Sequence, residues 1–271
     1  MNLEEQTVTP VSCTDRGQSA GFIAACAGVF IASVAVTVYF CHSMNCDMKM
    51  PGCWTMSMMW MPMPRQTWAA SAASFLLMWL AMMLAMMLPS ALPMFLNTRR
   101  ALGENGTAGT FASLLLMAAG YFTIWLAAGA AIYLLGIEFA SSAMRWTSFS
   151  RVVPVLTGVL LVAVGSVQFT RWKMSCLLRC RSPLGCAATC LECEKNFLLG
   201  CKQGAACCAC CAAPMMIQLS LGVMNPLLMF GIAAVIAVEK LLPRPVITVR
   251  LVGIAAFAVG IMQIWHGGIL N

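Results

Sequence analysis

Sulfur is what this sequence carries in excess: 15 cysteines and 23 methionines among 271 residues. Thiolates and thioethers are soft donors, and they select Cu(I) and similar ions over hard cations. The donors fall into three clusters. The first is C-H-S-M-N-C-D-M-K-M-P-G-C-W-T-M-S-M-M-W-M-P-M-P, starting at Cys41 and including Met44, Cys46 and Met48. Thioethers are neutral and do not close into disulfides, so they can capture metal in an oxidising compartment. The other reading of this stretch is an interfacial loop whose Met and Trp side chains enter lipid, with a Cys46–Cys53 disulfide.

The second cluster is M-W-L-A-M-M-L-A-M-M-L-P-S-A-L-P-M, from Met78 to Met94. At about 100° per residue, Met83, Met86, Met87 and Met94 share one arc of a helix. Met78, Met82 and Met86 form a second row at i, i+4 and i+8. Pro89 cannot donate to the carbonyl of Ala85, which frees an oxygen beside the stripe. Methionine is also an ordinary gap-filling core residue.

The third cluster packs ten cysteines between Cys176 and Cys211. Cys176/Cys180 and Cys186/Cys190 are i, i+4 pairs, and Cys190/Cys193 is i, i+3, so each pair would share a helix face. Arg179, Arg181, Lys195 and Lys202 favour thiolate character around them. Cys207, Cys210 and Cys211 follow at i, i+3 and i+4, a trio suited to a trigonal soft ion. A structural zinc site or an iron–sulfur cluster could use the same donors.

The elements that must position these donors are membrane helices. The chain is 61% hydrophobic and only 9% charged, against about 25% charged in a soluble domain. That disfavours a soluble enzyme, a nucleic-acid-binding domain or a disordered protein. Seven runs approach the length of about 20 residues that a crossing needs: Gly21–Phe40, Trp68–Leu96, Thr110–Gly136, Val152–Phe169, Gly204–Val223, Pro226–Leu242 and Val246–Trp265. The fifth and sixth could instead form a re-entrant hairpin. The N-terminal leader is polar, and the run after it exceeds the apolar core of a signal peptide, so the first helix is expected to be retained. With the N-terminus inside, twelve Lys and Arg lie inside and four outside, which orients the chain N-in and C-out. The expected organisation is a polar tail (1–20), a first helix with a Met/Cys-rich outer loop (21–67), and a metal-binding membrane domain (68–271) with a Cys-rich cytoplasmic loop (171–203). No span carries a central ionisable residue, and Glu239–Lys240 reads as an interfacial pair at a helix end.

Three stretches carry a family resemblance. W-L-A-M-M-L-A-M-M-L-P-S-A-L-P-M (Trp79–Met94), K-M-S-C-L-L-R-C-R-S-P-L-G (Lys173–Gly185) and C-C-A-C-C (Cys207–Cys211) occur in order, with G-V-M-N and E-K-L-L-P after them. The chain resembles a family of predicted metal-binding integral membrane proteins described only as a domain of unknown function. Cys176, Cys180, Cys207, Cys210 and Cys211 fall on its motifs. Gln203 stands where such proteins carry a His, and Ala212 where they carry an aromatic residue.

The sequence therefore predicts an all-α, polytopic transmembrane bundle of about seven helices that binds Cu(I) and transports or delivers it. Met82, Met83, Met86, Met87, Cys176, Cys180, Cys207, Cys210, Cys211, Met44, Cys46 and Met48 are the expected ligands. Zinc and mercury remain open as the metal. A thiol-redox or cuproenzyme assembly factor and a mercuric ion uptake protein remain open as functions. No catalytic motif is present, so enzymatic activity is not expected. The expected partners are the bilayer, the metal ion and a metallochaperone or cuproenzyme, not nucleic acid. The expected location is a bacterial inner membrane.

Overall fold

The computed structural model describes residues 13–43, 47–50, 54–57, 60, 67–102, 107–181, 193–222, 225–242 and 245–269. Among these described residues, eight helices and one hairpin follow in chain order: α1 (Cys13–Ser43), β1 (Asp47–Met50), β2 (Trp54–Ser57), α2 (Trp68–Leu102), α3 (Thr107–Arg145), α4 (Thr147–Gln168), α5 (Arg171–Arg181), α6 (Cys193–Leu221), α7 (Pro226–Leu241) and α8 (Pro245–Ile269). Six of them are long and apolar enough to cross a membrane: α1, α2, α3, α4, α6 and α8. The run expected as the sixth span, Pro226–Leu242, is α7, which has only 16 residues. At 1.5 Å per residue that is about 24 Å, short of a hydrocarbon core of about 30 Å.

Two close helix pairs organise the bundle, α3 with α6 and α4 with α8. Without water to drive apolar association, membrane helices rely on close backbone approach at small residues. Gly120 abuts Phe197 and Cys201, Gly200 abuts Met117, and Gly204 abuts Tyr121 and Ile124. Sequence position rises on both helices together, so α3 and α6 run parallel. Gly158 meets Gly260 and Ile264, while Gly165 meets Gly253 and Phe257. Here position rises on one helix as it falls on the other, so α4 and α8 are antiparallel.

The most buried spans are α2 and α6, and α1 is the least buried. The methionine-rich helix is thus the core of the bundle, and α1 packs chiefly on its flank. α2 continues through Pro89 and Pro93. α6 ends at Gly222, whose φ of +125° is a conformation that a residue without Cβ adopts freely. Its N–H closes onto the Gln218 carbonyl at 3.0 Å. Asn225 then caps α7, its side chain accepting from the N–H groups of Leu227 and Leu228, with Pro226 at the first helical position.

Three expectations change. Cys41 and His42 belong to the last turn of α1 rather than to an outer loop, and Cys41 is buried. Part of that loop is the antiparallel hairpin β1–β2; Met44 and Cys46 lie outside the described residues. The expected cytoplasmic loop 171–203 instead begins with α5, and α6 starts at Cys193, so Cys176, Cys180 and Cys201 are on helices. Cys186 and Cys190 lie outside the described residues.

The glycine contacts give a direct test. A Cβ at Gly200 would collide with the Met117 carbonyl oxygen, whereas one at Gly231 meets nothing within 4 Å. Gly200→Ala should lower thermal stability in detergent by several degrees. Gly231→Ala should leave it unchanged or raise it, since Ala is favoured over Gly in a helix.

Candidate metal centre

The inward face of α2 carries Met78, Met82, Met83, Met86 and Met87, all buried, with Met83 and Met87 fully so. On α6, Cys207, Cys210 and Cys211 are likewise buried. The sulfur of Cys207 is the focal atom. The Tyr121 hydroxyl donates to Cys207 Sγ at 2.8 Å. The Lys240 ammonium donates to the same sulfur at 2.9 Å. Met87 Sδ lies 3.9 Å from it. Lys240 Nζ also reaches Ser90 Oγ at 3.3 Å and Met87 Sδ at 3.9 Å. Two strong donors converging on one sulfur is the setting an anionic thiolate requires.

Cys180 approaches this centre from α5. Its interaction with the Cys207 thiol, then with Cys210 and burial, holds the Cys180 thiol above its usual range. That is opposite to the thiolate-favouring influence expected of the nearby basic residues. Cys210 and Cys211 follow on the same face of α6, three and four residues beyond Cys207.

The short helix α5 is locked in place by buried polar contacts. Lys173 Nζ donates to the Cys210 carbonyl at 2.8 Å and pairs with Glu239 Oε2 at 2.9 Å, both side chains almost fully buried. Seven residues on, the Cys180 carbonyl accepts from Gln203 Nε2 at 2.9 Å. Lys173 therefore meets residue 210 while Cys180 meets residue 203, so α5 runs antiparallel to α6. Gln203 occupies the expected His position and is committed to a backbone carbonyl. It is a positioning residue here.

The expected ligands divide accordingly. Met87 and Cys207 are in contact, with Cys180, Cys210 and Cys211 around them. Met82 sits elsewhere along the stripe, where Gln218 Nε2 lies 3.5 Å from its sulfur. Met86 lines an apolar cavity of about 240 Å³ with Phe30, Met229 and Phe230, away from the thiols. Met83 is fully buried, and Cys176 is only partly buried. Met48 is on the hairpin. Among the described residues, no group of three or more His, Cys, Asp or Glu forms a ready ligand set. The sulfur pair Cys207–Met87 mixes a thiol with a thioether. A metal–sulfur bond of about 2.3 Å places two sulfurs of a trigonal site about 4.0 Å apart, compatible with the 3.9 Å seen here.

Lys240, Lys173, Glu239 and Tyr121 were missed as site residues. Glu239 and Lys240 are buried at the centre, not exposed at an interface. Their legible signal was an adjacent Glu-Lys in an otherwise apolar helix, where an ionisable residue marks a functional site by default.

Comparison with known proteins follows from this geometry. The profile of the family PpoB2, described as copper chaperone, matches residues 76–263, more than half of the chain. The matched region contains Met82, Met87, Tyr121, Lys173, Cys180, Cys207 and Lys240. Neither the search of curated proteins nor that of solved structures gave a match.

The ion pair generates a second test. Lys173→Met would leave Glu239 buried without its partner, at a cost of about 3–5 kcal/mol. A large fall in thermal stability is expected, measured in detergent. Adding Glu239→Leu should recover most of it, because the orphaned charge is gone.

Proposed function

The chain belongs to the copper chaperone family, and on that premise we propose that it holds Cu(I) inside the helix bundle and delivers it to a protein partner. The observation that carries this reading is the sulfur of Cys207, 3.9 Å from the Met87 thioether and faced by Tyr121 and Lys240. Cys207 and Met87 are the proposed first ligands. Cys180, Cys210 and Cys211 are the thiols to which the ion can pass, each exchange replacing one sulfur by another. Stepwise ligand exchange suits a chaperone, because no step requires a bare cation in an apolar interior. Met82, Met83 and Met86 are proposed as weaker stations along α2.

Transport across the bilayer is the finer part of the proposal. The parallel α3/α6 and antiparallel α4/α8 pairs put α6 and α8 in one direction, so the reading needs α7, short as it is, to return the chain between them, and the Lys and Arg bias supports N-in, C-out. The proposed location is a bacterial inner membrane. The lysine supports a monovalent soft ion: a thiolate and an ammonium already balance, and a second positive charge would add to the repulsion.

The test is the metal content of protein purified anaerobically in detergent and loaded with Cu(I). Close to one tightly held copper is expected. Cys207→Ser should abolish it, and Met87→Leu should weaken it by at least about tenfold, equivalent to about 1.4 kcal/mol. Unchanged copper in Cys207→Ser would refute the assignment, and zinc that resists added Cu(I) would replace it with a structural site.

A further inference from the structure

The hairpin β1–β2 lies outside the residues that match the copper chaperone family. Its register places Met48 opposite Met56 and Met50 opposite Trp54. Directly opposed residues project to the same side, as do alternate residues along one strand. Three thioethers and one indole therefore share a face, and Asp47, Lys49, Thr55 and Ser57 take the alternate positions. The methionine face is turned onto the bundle. Met50 and Met56 are buried with Ala140 and Ala143, and Met48, Trp54 and Phe149 pack against the same cluster. Trp54 is fixed there, its Nε1 donating to the Ser150 carbonyl at 2.9 Å.

The choice of residue is informative. A strand face that needs only apolar packing is best served by β-branched or aromatic side chains. Methionine loses more rotamer freedom on burial than Ile or Leu, yet it fills three of these four positions. Opposed residues have Cβ atoms about 5 Å apart, so long thioether side chains on this face can reach a common ion. Neutral sulfur needs no counter-charge in an apolar setting, and thioethers select soft monovalent ions.

We propose that Met48, Met50 and Met56 form a thioether site for Cu(I) or Ag(I), separate from the Cys207 centre. It sits at the end of the bundle where α3 meets α4. Lacking thiolate, it binds more weakly than the helix site and exchanges faster, which suits a point of metal entry or exit.

The experiment uses the full chain in detergent under anaerobic conditions, labelled with ¹³C-methyl methionine, with Ag(I) as the redox-silent probe. Single Met→Leu variants assign the resonances. The Met48, Met50 and Met56 methyl signals should shift together on adding Ag(I), and should still do so in Cys207→Ser/Cys210→Ser/Cys211→Ser. Signals that stay fixed while other methionines respond would overturn the proposal, as would shifts that vanish with the helix thiols. Met87 reports separately on the helix centre, so failure of either site is distinguishable. As a fold control, Met50→Leu/Met56→Leu conserves volume closely enough to keep the hairpin packed. Its thermal stability should match the parent while Ag(I) affinity at this site falls at least tenfold; unchanged affinity would also overturn the proposal.

Discussion

A lysine carried into an apolar bundle must meet an anion or a set of strong acceptors there, because no water compensates its charge. Lys240 meets the Cys207 sulfur, the Ser90 hydroxyl and the Met87 thioether. That requirement fixes three helices relative to one another: α7, which carries the lysine, α6, which carries the thiol, and α2, which carries the thioether. The Tyr121 hydroxyl adds α3 to the same point. The polarity that makes the buried ammonium tolerable also creates a pocket of soft, electron-rich sulfur.

The remaining contacts hold this point in place. Glycines let α3 and α6 approach until backbone meets backbone, which brings Tyr121 within reach of Cys207. The Lys173–Glu239 pair ties α5 to α7, and Lys173 also anchors to the Cys210 carbonyl. Breaking either polar tie leaves a charge or a carbonyl without a partner in a medium of low dielectric, which is costlier than losing an equal apolar contact. Gln203 completes the arrangement at the far end of α5. Among the described residues, the result is a sulfur cluster walled by helices.

Much of this was legible in the residues. The low charge and long apolar runs led directly to membrane-length helices, and the spacing of Met83, Met86, Met87 and Met94, and of Cys207, Cys210 and Cys211, put each set on one arc of its helix. Copper followed from sulfur softness, and the family match agrees with it. Other features were not legible because they depend on tertiary contacts. The α7 run reads as a span by hydropathy, but capping at Asn225 and the end at Leu241 make it short. Cys176 and Cys180 read as loop ligands among basic residues, but Lys173 folds inward and draws α5 into the bundle. Glu239 and Lys240 look interfacial until their partners, 66 and 33 residues away, are seen. The hairpin register could not be read from a stretch in which nearly every second residue is sulfur or aromatic.

The central claim is that helix-borne sulfur centred on Cys207 is the metal-binding element. X-ray absorption at the copper edge, on anaerobically Cu(I)-loaded protein, tests it most directly. At one equivalent of Cu(I), the account predicts a shell of sulfur alone, with a low coordination number and bonds near about 2.3 Å, and a changed shell with weaker retention of copper when Cys207 is replaced by Ser. A shell dominated by nitrogen or oxygen, or a sulfur shell indifferent to Cys207, would contradict it.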